Sequence, residues 1–413
     1  MSKNKFLQKF MLIDTIPAIS GLIGKTALVT SFAVIWAAEI KITNPDFVFE
    51  NVRIEIIIGS IITLIAALIW RDVAPSGTLA PFVTMIPTMA AFGVHPFILS
   101  IGIGITGILA VQTKLFSKLL ALSGPITKVS LTITFGASGV IMSIRKLYVF
   151  FYKTPIALYL ILLLIFTFYL LLLKWHKLWL IIPTAAITAI LISLTFGFQL
   201  IQTMEMNISL PSFYPVHWWR DMWGIGFGLN LYTIIKTLPF ALFVLLLWAI
   251  DTVSITTMLD ANYGPEEKKE EINLNRSFLI TSLRNMLGGT FGGAQTGALW
   301  RSFLIPLFTI KRPLQPASIL LGIFGIIAGI TAIPLRILSF PPLIWSVLLF
   351  GIFLPLLSAG IKNLAIIHKS SSKLIAIVTV LFGISTSPII TWICTVLYEK
   401  VISYKKRRHQ IKV

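Results

Sequence analysis

The sequence has one cysteine, Cys394, few charges, and far fewer acids than bases. A single thiol excludes a disulfide framework and any cluster of thiolate ligands. Charged residues make up only 12% of the chain, with 15 Asp and Glu against 34 Lys and Arg. No phosphate-cradling loop, dinucleotide fingerprint, nucleophile elbow or zinc motif stands in a suitable context. ATP-driven pumping and soluble-type catalysis therefore have no support, and neither a cofactor nor an enzyme activity is expected. The histidines (His95, His176, His217, His368, His409) fall in loops or at span ends without metal-ligand spacing. The N-terminal MSKNKFLQKF lacks the apolar core and cleavage site of a secretory signal, so the first span itself should direct insertion.

What the chain does have is hydrophobicity: 56% of its residues are apolar and its mean hydropathy is +0.91. That composition belongs to an all-α polytopic membrane protein. At about 20 residues per span the chain has room for roughly twelve to fourteen spans. The net charge of +19 comes from short loops and the two ends (Lys3, Lys5, Lys9; Lys405, Lys406, Arg407, Arg408). This positive-inside pattern places both termini in the cytoplasm, implies an even number of spans, and argues against a nucleic-acid partner. The basic tail, 405–413, either acts as a solvated stop signal or touches anionic lipid.

Two interruptions carry most of the functional information. One is Ala74-Pro75-Ser76-Gly77-Thr78-Leu79-Ala80-Pro81, opening a short apolar segment that ends near Phe92. Ser76 or Thr78 is placed to cap that helix, and Pro81 suits its first turn. The other is FGGAQTGALWRS, Phe291 to Ser302, which follows the short apolar piece Phe278–Leu287. Broken helices at membrane depth survive only where protein or a wet cavity surrounds them. A matched pair, about half a chain apart, is how many secondary transporters build a substrate site. An ordinary Gly- or Pro-containing span is the plainer reading of each break.

Three charged residues within or beside the apolar spans are candidates for the chemistry. Asp251 lies in the long span from about Pro239 to Met258, where a carboxylate costs about 3 kcal/mol on insertion scales. With the hydroxyls of Ser254 and Thr256 it suits Na⁺ or a proton, or else it is a buried packing bond to a neighbouring helix. Arg301 follows the second break, where a helix start and a guanidinium favour an anion. It could equally snorkel or pair with Asp251. Gln295 and Thr296, and Ser76 and Thr78 from the other half, offer neutral donors. Lys25, inside the first span (Thr15 to Ile40), either lines the cavity or snorkels. Asp260 is expected at the cytoplasmic rim. The second span is expected from about Ile54 to Trp70. Trp218, Trp219, Arg220 and Trp223, between Gln199 and Thr233, look like an interfacial aromatic belt.

Ile250-Asp251-Thr252, then Asp260, Asn285 and FGGAQTGALWRS, together resemble the SulP anion transporters, with an apparent one-residue deletion between Gln295 and Thr296. PSGTLAPFV is similar to the family's third-span stretch, with Thr78 where a proline is usual. The resemblance implies about 14 transmembrane segments in two inverted seven-span repeats. That fold is shared with uracil-permease-type nucleobase transporters. Core and gate domains and two half-helices belong to it. The repeats would occupy 1–200 and 236–404, joined by an interfacial connector at 201–235. By the same resemblance Ser76, Gly77, Thr78, Gln295, Thr296, Gly297 and Arg301 would bind substrate. Asp251, Ser254, Thr256 and Thr296 would hold a coupling ion. Two departures stand out: the family's first-span Pro-Gln is not evident, with Lys25 nearby instead, and no STAS domain is expected after the last span.

The function expected is secondary active transport of a small anion (sulfate, bicarbonate or small carboxylate) by alternating access, with Na⁺ or H⁺ coupling or by exchange. A nucleobase or weak-acid permease of the same fold and an uncoupled anion channel are the alternatives. Membrane lipids and, by family habit, a second copy of the chain are the other expected partners. A bacterial plasma membrane is the expected location.

Overall fold

The computed structural model describes residues 8–175, 177, 180–197, 210–263, 271–333 and 341–410. Its apolar runs form helices because lipid supplies no hydrogen bonds, so each peptide group must find its partner inside the protein. α1 (Thr15–Ile40) and α2 (Phe47–Ile69) come first. The third segment is a strand, β1 (Ser76–Thr78), a 3-10 turn (Ala80–Met85) and the short α3 (Ile86–Ala91). α4 (Pro96–Gln112) bends by 73° into α5 (Leu115–Leu122), and α6 (Pro125–Phe151), α7 (Pro155–Lys174) and α8 (Ile181–Thr195) follow. Proline opens α4, α6 and α7, where its missing N–H would have had no helical partner anyway.

The second half begins with α9 (Leu231–Asn262) and α10 (Leu274–Thr290). A second strand, β2 (Gly297–Leu299), feeds α11 (Arg301–Ile310). α12 (Leu314–Thr331), α13 (Pro341–Ile366), α14 (Ser370–Ser385) and α15 (Pro388–Gln410) complete it. Counting each strand with the helix it feeds, and α5 with α4, the described residues of each half form seven segments. Among the described residues seven helices are long and apolar enough to cross a membrane, or up to eight with the bent pair taken as one span. The chain is an all-α polytopic membrane protein.

Among the described residues two large hydrophobic clusters divide the bundle. One gathers α1, α2, α4 and α9 to α12 around Phe32, Trp36, Trp248 and Phe303. The other joins α6, α7, α8 and α13 around Phe135, Ile161 and Phe350, and takes in Leu28, Ile250 and Ile305 from the first group's helices. Within the first group α2 packs along α12 and α4 along α10, while α6 lies along α13.

Two expectations change here. α2 begins at Phe47, well ahead of Ile54, so Arg53 and Glu55 lie inside the helix and are buried. Trp218, Trp219 and Trp223 do not form a lipid-facing belt either; all three are buried. Trp219 stacks on Trp223, and their indole N–H groups donate to the carbonyls of Gly289 (3.1 Å) and Gly292 (2.7 Å). The segment folds back to satisfy the turn after α10, which no regular ladder serves. Lys3 and Lys5, His176, and residues 264–270 of the hydrophilic loop at 262–275 lie outside the described residues.

Candidate functional site

The two interruptions meet. β1 and β2 pair antiparallel, with Ser76 opposite Leu299, Gly77 opposite Ala298 and Thr78 opposite Gly297. The Leu79 N–H donates to the Thr296 carbonyl at 2.8 Å, and the Trp300 N–H to the Pro75 carbonyl at 3.1 Å. Side chains complete the job: the Trp248 indole donates to the Gly297 carbonyl (2.8 Å) and Asn285 accepts the Gly297 N–H (2.8 Å). Extended backbone is tolerable at this depth because each break is the other's hydrogen-bond partner. Gly77 is needed for the approach, since a Cβ there would sit 2.6 Å from Trp300 Cα.

This ladder corrects the expected capping. Neither Ser76 nor Thr78 caps a helix; Leu79 holds the N-cap position of the 3-10 turn without a side-chain bond. Thr78 donates its hydroxyl to the Gln295 side chain instead. The second helix starts at Arg301, so the amides near Thr296 belong to the ladder and its flank rather than to a helix terminus. The free helix-start amides are those of Arg301 and Ser302, because the Trp300 carbonyl takes the N–H groups of Phe303 and Leu304.

Arg301 is buried and forms an ion pair with Asp251. Its guanidinium carbon lies 4.6 Å from the Phe135 ring centroid and 5.7 Å from that of Phe353, residues of α6 and α13. The arginine therefore stands where the two helix groups meet. Ser254 donates within α9 to Ile250, and Thr256 to Thr252 (2.9 Å). Thr256 also sits roughly 140° round the helix from Asp251 at 100° per residue. Asp251 is thus brought to Arg301; Ser254 lies about 60° from it on α9, while Thr256 is not brought to it. Asp260 is exposed at the end of α9. Among the described residues no group of three His, Cys, Asp or Glu is placed to hold a metal ion.

A second buried network escaped the sequence reading. Glu55 of α2 pairs with Arg284 of α10 and accepts from the Gln295 side-chain amide at 2.6 Å. Gln295 in turn accepts from Thr78. The chain Arg284–Glu55–Gln295–Thr78 ties both breaks to the flanking helices. The signal was present in EIIIGS and SLRNML, one acid and one base within apolar runs, which at this depth must find each other.

Lys25 of α1 does not snorkel. It is 1% exposed, and its ammonium lies 4.4 Å from the Trp300 ring centroid. With Thr78, Arg301 and Ser302 it lines a small cavity at the ladder, closed by Leu349 and Phe353 of α13. The cavity volume there is about 20 Å³, room for about one water. A larger, mostly apolar cavity of about 350 Å³ adjoins it, sharing Ala80, Leu349 and Phe353.

A family model described as "Protein of unknown function (DUF3360)" matches residues 5–412. The chain belongs to the DUF3360 family. No curated protein matches the sequence of this DUF3360 member significantly. Among solved structures it is similar to the transmembrane domain of a cyanobacterium bicarbonate transporter, BicA. That match has a TM-score of 0.54 and 14% identity, over 93% of this chain and 98% of that one. The anion transporter Slc26a9, murine Solute Carrier 26 family member A9 in the inward-facing state, matches with a TM-score of 0.55 and 11% identity, over 97% and 69%. A further structure of SLC26A9 gives 0.52 and 14%, over 97% and 67%. At such identities the likeness shows the fold, which is the one the SulP resemblance implied.

Proposed function

We propose that this DUF3360 protein is a secondary transporter of a small anion, working by alternating access. The observation that carries the reading is the cavity at the strand crossing. A guanidinium and a ten-residue helix start, with the N–H groups of Arg301 and Ser302 free, converge there, a set of donors and positive ends with affinity for an anion. Leu349 and Phe353 close it from the other helix group, so relative movement of the groups would open it to one side and then the other. The anion transporters that share the fold support the reading. So does the packing of α2 on α12 and of α4 on α10, the pattern two inverted repeats would give. α1–α4 with α9–α12 would then form the core and the remaining helices the gate.

Asp251 is the internal competitor of the substrate. It occupies Arg301 when no anion is present and is displaced when one binds. A cation site at Asp251 would need several oxygens around it, but Thr256 sits well round the helix and Arg301 already takes the carboxylate. The arrangement therefore favours anion exchange over Na⁺ or H⁺ symport. The proposed location is a plasma membrane with both termini cytoplasmic, by the distribution of Lys and Arg.

Counterflow in proteoliposomes tests this. Vesicles loaded with unlabelled bicarbonate, nitrate or chloride should take up the labelled anion several-fold faster than unloaded ones, unaffected by Na⁺ or pH gradients. Absent uptake, uptake that stops without a cation gradient, or competition by uracil would each refute it.

A further inference from the structure

Seven charged side chains are buried among the described residues, and six of them have a partner of opposite charge. Asp14 pairs with Arg312 and Arg53 with Glu50, both away from the crossing. Glu55 pairs with Arg284 and Asp251 with Arg301. Lys25 is the seventh. Its ammonium has no hydrogen-bond partner, and Trp300 offers only the face of a ring. Arg284 and Glu55 lie within its electrostatic range, but that carboxylate is already taken by Arg284 and Gln295. Room is kept for the amine at Gly59, where a Cβ would collide with it. Around the crossing, three basic side chains therefore face two carboxylates.

We propose that Lys25 is a substrate-binding residue and that the transported species is a monoanion, whose single charge balances the one in excess. This rests on the transport reading above. Lys25, on α1, lines the same cavity as Arg301. An ammonium at this depth without a counter-charge is costly, so an anion beside it is stabilised by the same term that makes the empty site unfavourable. One small anion neutralises the set, and the space at the ladder, which holds about one water, would widen toward the adjoining cavity past Leu349 and Phe353 to admit it. A dianion would leave a buried negative charge and is rejected on that ground. The empty site, carrying net positive charge past Phe135 and Phe353, should also reorient reluctantly, which makes exchange the preferred mode.

Uptake of nitrate, bicarbonate and sulfate by the wild type and by Lys25→Met, Lys25→Arg and Gly59→Ala tests this. The wild type should take up the monoanions and not sulfate. Lys25→Met should lose about 10- to 100-fold in monoanion uptake while melting no lower than the wild type, since it removes an unpaired charge. Lys25→Arg should retain part of the activity, and Gly59→Ala should weaken uptake by displacing the amine. Full monoanion uptake by Lys25→Met, or sulfate uptake matching nitrate, would overturn the assignment while leaving the transport reading intact. No uptake of any anion by the wild type would refute both.

Discussion

Replacing Glu55 with alanine should destabilise the folded protein by about 3–5 kcal/mol, because it strands Arg284 in the interior without a counter-charge. Arg284 is fully buried between α2 and the ladder, and nothing in its surroundings replaces the carboxylate. The loss extends to the ladder: Gln295 loses its acceptor, and through Gln295 so does the bridge to Thr78. Thermal unfolding in detergent would show a large drop for Glu55→Ala and a smaller one for Glu55→Gln, which keeps the shape and one acceptor. The double variant Glu55→Leu with Arg284→Met should recover most of the stability, because an apolar pair of similar volume leaves no orphan charge. A single variant as stable as the wild type would show that the pair does not hold the crossing together.

The sequence already showed where the chain breaks and which charges lie beside the breaks. Proline and glycine inside apolar runs mark interruptions wherever they occur, and Asp251 and Arg301 are conspicuous because so few charges sit in long apolar spans. The ladder itself was not legible. Strands of three residues have no periodicity, and Gly77 and Ala298 are partners across most of the chain. Thr78 and Ser76 looked like caps because cap residues and strand residues next to a glycine read alike. Glu55 and Arg284 were missed for a different reason: placing the start of α2 at Ile54 put the acid at a span edge, where a charge needs no partner. The tryptophans of residues 218–223 fit a membrane interface by composition, and only their indole bonds to Gly289 and Gly292 show that they face inward.

Arg301→Ala should abolish transport. Truncating one member of a buried charge-assisted contact costs about 2–5 kcal/mol, or roughly 30- to 4,000-fold in affinity at 1.4 kcal/mol per decade. The single variant leaves Asp251 buried and unpaired, so low activity could reflect poor folding. Arg301→Gln combined with Asp251→Asn removes both charges, should fold normally by gel filtration, and should still not transport. Asp251→Asn alone acts the other way: with the competitor neutral, Arg301 is free and the anion should bind more tightly, with a lower KM. Normal uptake by the double variant would take the guanidinium out of the site. A raised KM in Asp251→Asn would mean that the carboxylate supports the anion instead of competing with it.

The most direct measurement is an experimental structure of the wild-type protein in bromide, with the anion located by its anomalous scattering. The expected result is one bromide at the crossing of the two strands, within reach of the Arg301 guanidinium, the Ser302 N–H and the Lys25 ammonium. Bromide found only elsewhere, or an Arg301 side chain turned out toward lipid, would contradict an anion site built where the two broken segments meet.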